Sequence, residues 1–194
     1  MNLLRKLYDW TLVKSKDPKA PWFLAIISFL ESSFFPIPPD IILIPMILAN
    51  RIKAWTYAMI CTVSSVLGGV LGYFIGFFFY KSIGIMIIQY YSLENLFSSF
   101  ESSYNDYGIL IVLGAGFTPF PFKFITIASG LFSLNLPLFI CVAFLARGLR
   151  FFLVASLLKL FGNFIKNLID RYFNMITILF FLLLIGSFIL IKYL

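Results

Sequence analysis

The chain has 194 residues, of which 61% are hydrophobic and 12% are charged, with a mean hydropathy of +1.00 and a net charge of +7. About a quarter of the residues in a soluble domain are charged, so this composition predicts an integral membrane protein of one domain. There is no histidine, which excludes histidine general bases, histidine metal ligands and serine–histidine dyads. The basic residues are spread along membrane flanks, which favours an anionic lipid surface over nucleic acid as the partner.

Residues 1–19 place apolar side chains at helical spacing with basic residues between them. This pattern is typical of a helix that lies in the membrane interface. Five Lys or Arg residues against two Asp residues give this end a charge of +3. The excess of positive charge predicts that the N-terminus is cytoplasmic.

Residues 20–50 are apolar but are interrupted at Pro36, Pro38 and Pro39, a cluster that ends a helix because proline lacks a backbone N–H. The flanking arms, residues 21–35 and 41–50, are shorter than the roughly 20 residues that a membrane span needs. We therefore expect a re-entrant hairpin that returns to the cytoplasmic side, where Arg51 and Lys53 follow. Two full crossings would satisfy the same charge pattern, so the hairpin prediction depends on arm length.

Residues 54–80 contain no charge and predict a transmembrane helix. Gly68, Gly72 and Gly76 recur every four residues, preceded by Ser64, and form a ridge of small residues that lets another helix approach closely. Close packing is the first interpretation of this ridge, and a substrate path along it is the alternative.

Residues 93–107 carry an apolar helical face and a charge of −3, which predicts an interfacial helix on the external side. Residues 109–135 form a second proline-broken segment with short arms, which the charge pattern predicts to enter from outside. Residues 136–160 predict a second transmembrane helix and residues 172–192 a third.

The first broken segment recurs 83 residues later: residues 34–45 align with 117–128, with five of twelve positions identical. Asp40 aligns with Lys123. The same offset relates the helices that follow, and one crossing separates the copies. The sequence therefore predicts an inverted repeat, residues 20–80 and 103–163, within a membrane domain of residues 20–165. Inverted repeats with broken helices are typical of transporters.

Five charged side chains fall inside apolar segments: Glu31, Asp40, Lys123, Arg147 and Arg150. Each costs roughly 2.5–3.5 kcal/mol to insert, so such residues usually face a cavity or a partner. Glu31 and Asp40 are candidates for proton coupling, since a buried carboxyl group can exchange protons near neutral pH. Arg147 and Arg150 share one helical face and suit a phosphate, to which Lys123 adds a charge. The alternative is static pairing, of Asp40 with Lys123 or of Glu31 with an arginine.

The predicted hairpin tips are rich in proline. They comprise Pro36, Pro38, Pro39, Thr118, Pro119 and Pro121. Ser32, Ser33 and Thr118 flank these tips, where caps or backbone partners are their expected roles. The sequence contains no clustered acidic metal motif, and we predict no metal, no cofactor and no enzymatic activity.

Three motifs carry a resemblance to a known family. They are Glu-Ser-Ser-Phe-Phe-Pro-Ile-Pro-Pro-Asp at 31–40, Gly-Phe-Thr-Pro-Phe-Pro-Phe-Lys at 116–123 and Arg-Gly-Leu-Arg-Phe-Phe at 147–152. Together they resemble the DedA superfamily, whose members share the VTT domain, and particularly its YqaA-like branch. In many members an arginine stands where this chain has Gly116, and another follows the Phe-x-Pro, where the nearest basic residue here is Lys123.

The resemblance implies an all-α membrane fold, with two opposed re-entrant hairpins, about three transmembrane helices and interfacial helices. It also implies movement of phospholipid or polyprenyl phosphate across the membrane with dependence on the proton gradient. Together with the buried carboxyl groups, this predicts a flippase of the bacterial inner membrane in which Glu31 and Asp40 are the candidates for proton coupling. A passive scramblase and a structural protein with static ion pairs are the alternatives. Membrane lipids are the expected partners, and the sequence leaves open whether the chain forms a homo-oligomer.

Overall fold

A computed structural model describes residues 19–34, 38–90, 94–118, 120–162 and 164. These residues form helices and connecting turns without a β-strand, as predicted. Some predictions fall outside the described residues. They are the interfacial helix over residues 1–19, of which only Lys19 is described, the transmembrane helix over residues 172–192, and the tip residues Pro36 and Pro119.

The first broken segment forms two short helices, α1 (Ala20–Ser33) and α2 (Asp40–Ala49). Pro39 stands immediately before α2, where its fixed φ suits the helix and its missing N–H costs nothing. At 1.5 Å per residue the helices are about 21 and 15 Å long, against a hydrocarbon core of about 30 Å. The predicted break is present, and neither arm alone is long enough to cross.

A long helix follows a single 3₁₀ turn at Arg51–Lys53. It comprises α3 (Ala54–Phe79), a wider π-helical turn (Tyr80–Gly84) and α4 (Ile85–Tyr90). The continuous stretch Arg51–Ser82 is long and apolar enough to span a membrane. It matches the first predicted transmembrane helix.

The second half of the described chain contains α5 (Glu94–Phe117), α6 (Phe122–Leu131) and α7 (Leu136–Gly162). Helix α7 is the second helix with the length and composition of a membrane span. The structure joins the predicted interfacial helix and the first arm of the second hairpin into the single helix α5. Gly108 does not separate them, because a glycine inside a helix costs only about 1 kcal/mol and this one packs closely against Tyr104 and Leu134.

Helix α3 is the centre of the fold, with α1 and α6 packed against it. A Cβ atom at Gly68 would overlap the Phe29 carbonyl of α1, and one at Gly76 would overlap the Ile127 carbonyl of α6. The glycine ridge is therefore a close-packing surface for α1 and α6, one helix from each broken segment, as the first interpretation predicted.

Helices recur at nearly the predicted offset: α2 begins at residue 40 and α6 at residue 122, while α3 begins at residue 54 and α7 at residue 136. Arg51, at the start of α3, lies against Gly162, at the end of α7. Helices α3 and α7 therefore run antiparallel.

Candidate functional site

Glu31 and Arg147 form a buried ion pair, called here the inner pair. Glu31 lies in the last turn of α1, and its Oε2 accepts a hydrogen bond of 2.6 Å from Nη2 of Arg147 on α7. The side chains are 10% and 1% exposed. The guanidinium also lies 5.1 Å from the ring centre of Phe122 and 4.7 Å from that of Phe151. Aromatic faces therefore enclose the cation on the sides where it makes no hydrogen bond.

Two buried hydroxyl groups complete a closed ring with the inner pair. Arg147 Nε donates to Ser65 Oγ at 2.7 Å, and Ser65 Oγ lies 2.7 Å from Ser32 Oγ. Ser32 in turn donates to Oε2 of Glu31 at 3.1 Å. These four residues are called the inner ring, and they join α1, α3 and α7.

With Ser32 donating to Glu31, the hydrogens of the inner ring run in one direction. Arg147 is only a donor, so Ser65 accepts from it and directs its own hydrogen to Ser32. Ser32 then directs its hydrogen to Glu31, whose Oε2 receives two hydrogen bonds. Both hydrogen bonds that reach Oε2 of Glu31 therefore originate at Arg147, one directly and one through the two hydroxyl groups.

Asp40 and Arg150 form a second ion pair, called here the outer pair. Their side chains are 19% and 15% exposed, so this pair is reached more readily than the inner pair. Asp40 lies in the first turn of α2, where the helix dipole favours negative charge. Arg150 Nη1 also donates to the backbone carbonyl of Thr118 at 2.9 Å. One guanidinium thus joins the ends of both hairpins.

The two hairpins also meet directly beside these pairs. Thr126 of α6 donates from Oγ1 to the Ser32 carbonyl of α1 at 3.0 Å. Ser33 donates to the Gly68 carbonyl of α3 at 3.0 Å, so it is a backbone partner, as expected. These contacts fix α1 in rotation and depth, and this in turn places Glu31 opposite Arg147.

The predicted pairing of Asp40 with Lys123 is wrong, because Asp40 pairs with Arg150 instead. Lys123 is half-buried in the first turn of α6, and its Nζ lies 5.5 Å from the ring centre of Phe124. Asp40 and Lys123 occupy equivalent positions of the repeat, whereas Arg150 on α7 reaches between the hairpin ends. The predicted pairing of Glu31 with an arginine is confirmed.

The geometry separates the two arginines that were grouped as candidate anion ligands. Arg147 is enclosed by its ring of partners and reaches a head group only if that ring opens. Arg150 is partly exposed at the meeting point of the hairpins. Of the two, Arg150 is therefore the guanidinium that an anion can reach first.

Ser65 is the contributor that sequence reasoning missed. It precedes Gly68 by three residues and Gly72 by seven, so it shares their helical face. A hydroxyl on the packing face of a charge-free helix was the signal that could have found it. Its contact with Arg147 depends on where α7 packs, and the spacing of residues along α3 gives no information about that position.

Comparison with known proteins agrees with this architecture. The profile of the VTT domain family matches residues 35–160. An uncharacterized protein of Haemophilus influenzae is 36% identical over 157 residues, covering 81% of each chain. An uncharacterized protein of Histophilus somni is 33% identical over 161 residues, covering 81% of this chain and 82% of its own. No solved structure matches the chain.

The matched region contains three of the four residues of the ion pairs, and the two relatives cover most of the chain. Its two long apolar helices agree with the membrane character of VTT domain proteins. This chain therefore belongs to the VTT domain family, the DedA superfamily, and is a membrane protein.

Proposed function

We propose that this protein is a transporter that moves the phosphate head group of a phospholipid or polyprenyl phosphate across the bacterial inner membrane. VTT domain proteins are membrane proteins generally proposed as transporters or flippases. The observation that carries the proposal is the partly exposed outer pair, whose arginine contacts both hairpin ends.

Four charges at the meeting point of apolar helices support a functional role over simple packing. Insertion of each costs roughly 2.5–3.5 kcal/mol. Replacing a buried ion pair by apolar side chains of similar volume is often neutral or stabilising. Stability alone therefore does not account for two ion pairs in this position, whereas handling of a charged cargo does.

In this proposal the lipid head group crosses the membrane beside the ends of the short helices. Helices α1, α2 and α6 are each too short to cross alone, which supports our proposal that their ends lie within the membrane. Broken backbone at that depth must face protein or a water-filled cavity. We propose that the two hairpins enter from opposite sides, with the N-terminus cytoplasmic, and that a polar cavity opens between their ends.

Partner exchange at Arg150 is the proposed step of cargo binding. Its planar guanidinium matches the geometry of a phosphate as well as that of a carboxylate. A phosphate that binds Arg150 displaces Asp40, which then takes up a proton, while Lys123 contributes a further positive charge. We place proton exchange at Asp40, because it belongs to the more exposed pair, whereas Glu31 is enclosed in the inner ring.

Purified protein in liposomes tests the proposal. Labelled phospholipid or polyprenyl phosphate is placed in one leaflet, and its movement is followed with and without a pH gradient. Asp40→Asn and Arg150→Gln should each lower the rate by about tenfold or more, since each removes a charge-assisted bond. Lys81→Gln is the matched control, because Lys81 is an exposed cation lying over the Phe77 ring, away from both pairs.

The outcomes separate the alternatives. Unchanged leaflet asymmetry of the wild type across lipids and pH would overturn the proposal. Movement that is independent of pH and intact in Asp40→Asn would indicate passive scrambling. Variants that lose stability but still move lipid at the wild-type rate would indicate that the charges are structural.

A further inference from the structure

Ser32 and Ser65 form a hydroxyl bridge that the transport proposal does not use. Both side chains are fully buried, and their oxygens lie 2.7 Å apart across the α1–α3 contact. One end of the bridge accepts from Arg147 and the other donates to Glu31. The bridge thus makes a second, indirect connection between two residues that already contact each other.

We propose that Ser65, acting with Ser32, is a positioning residue that keeps the inner pair closed while the outer pair exchanges partners. Ser65 holds Nε of Arg147, and Glu31 holds Nη2, so two points fix the plane of the guanidinium. The part of this inference that concerns transport rests on the proposed function, whereas the part that concerns the ring stands alone.

The physical reason lies in the burial of Arg147. Without the Ser65 hydroxyl, the Nε–H of Arg147 becomes a buried donor with no acceptor, which carries a desolvation penalty. Rotation of the side chain towards another acceptor lowers this penalty but moves the guanidinium away from Glu31. Ser65 belongs to α3, which the glycine ridge holds against both hairpins. The ring therefore makes the orientation of Arg147 depend on the central helix as well as on α1.

Ser65→Ala tests the ring, with Ser28→Ala as the matched control. Ser28 is equally buried on α1 and donates to the Cys61 carbonyl of α3 at 2.8 Å, so its loss removes a hydroxyl from the same helix contact outside the ring. A double-mutant cycle with Glu31→Gln measures the unfolding equilibrium in detergent. Ser65→Ala should change that equilibrium about tenfold more in the wild type than in Glu31→Gln, while Ser28→Ala should act equally in both.

A spectroscopic measurement covers the case in which Ser65→Ala fails to fold. Ser32→Ala breaks the bridge but leaves the bond between Arg147 and Ser65 in place. The infrared carboxylate band of Glu31, identified by its loss in Glu31→Gln, should shift in Ser32→Ala and stay unchanged in Ser28→Ala. An unshifted band, or additivity of Ser65→Ala with Glu31→Gln, would overturn the positioning role.

The transport assay separates this inference from the proposed function. Ser65→Ala should slow lipid movement by about tenfold, and Ser65→Thr, which keeps the hydroxyl, should recover part of the rate. Coupling in the cycle together with no lipid movement by the wild type would support the ring and reject the transporter. Lipid movement at the wild-type rate in a folded Ser65→Ala variant would reject the positioning role and keep the transporter.

Discussion

The inner and outer pairs each join a carboxylate to a guanidinium, and their arginines are three residues apart on α7. The two pairs differ in what surrounds them. Arg147 is enclosed by two aromatic rings and two hydroxyl-bearing helices, whereas Arg150 is partly exposed and bonds a backbone carbonyl. A buried pair is costly to break because the remaining charge has no substitute partner, while water or a ligand can replace a partner in an exposed pair. The inner pair is thus suited to hold the hairpins, and the outer pair to change.

The largest difference is expected from removing one carboxylate of each pair. Glu31→Gln should lower the free energy of unfolding by about 3–5 kcal/mol, because it leaves Arg147 charged and buried. Asp40→Asn should lower it by at most about 1 kcal/mol, because Arg150 retains access to solvent and to the Thr118 carbonyl. Chemical unfolding in detergent measures both, and equal losses would remove the distinction between the pairs.

A change in helix packing should affect the inner pair next most strongly. Gly68→Ala places a methyl group where the Phe29 carbonyl lies, two residues before Glu31. The displacement of α1 should cost about 1–3 kcal/mol and loosen the inner ring. Gly114→Ala is the control, since nothing lies within 4 Å of a Cβ there. Thermal unfolding of both variants tests this, and a harmless Gly68→Ala would contradict the close contact.

Replacing the guanidinium of Arg150 tests whether the outer pair needs its forked geometry or only its positive charge. Arg150→Lys keeps the charge, but a single ammonium group does not reproduce the fork that bonds both Asp40 and Thr118. We expect a loss of about 1 kcal/mol in stability. Lipid movement should fall more in this variant than in the Lys81→Gln control. Wild-type rates in Arg150→Lys would show that charge alone suffices at this position.

The smallest expected effect is that of ionic strength. Raising salt from about 0.1 M to about 1 M shortens the screening length from about 10 Å to about 3 Å, which weakens exposed pairs more than buried ones. Stability should fall by less than about 1 kcal/mol. This salt-dependent loss should be smaller in Asp40→Asn than in the wild type. A salt dependence unchanged in Asp40→Asn would mean that the outer pair is not screened.

Several features of the fold follow directly from local chemistry in the sequence. Pro36, Pro38 and Pro39 fall close together between two apolar runs, so the break between α1 and α2 was predictable, although the single Pro45 is accommodated inside α2. The length of the charge-free segment predicted α3, and the spacing of Gly68, Gly72 and Gly76 predicted its close contacts. By contrast, the junction near Gly108 was not predictable from composition, because only its packing against Tyr104 and Leu134 shows that the helix continues.

Which charged side chains pair depends on how each helix is rotated about its axis. The sequence pattern does not predict that rotation. Alignment of the repeat suggested that Asp40 meets Lys123, yet equivalent positions in the two copies need not face each other. Arg147 and Arg150 are one turn apart on α7, and this spacing lets one helix serve both carboxylates. Ser65 could be placed on the right face but not assigned its partner.

The bond from Arg150 to Thr118 has a consequence for timing. One side chain bonds both the start of α2 and the residue after α5, so a single rotamer change releases both contacts together. In the proposed transporter, a phosphate that captures Arg150 would therefore free both helix ends in one step, and access from the two sides of the bilayer would be coupled through a single residue.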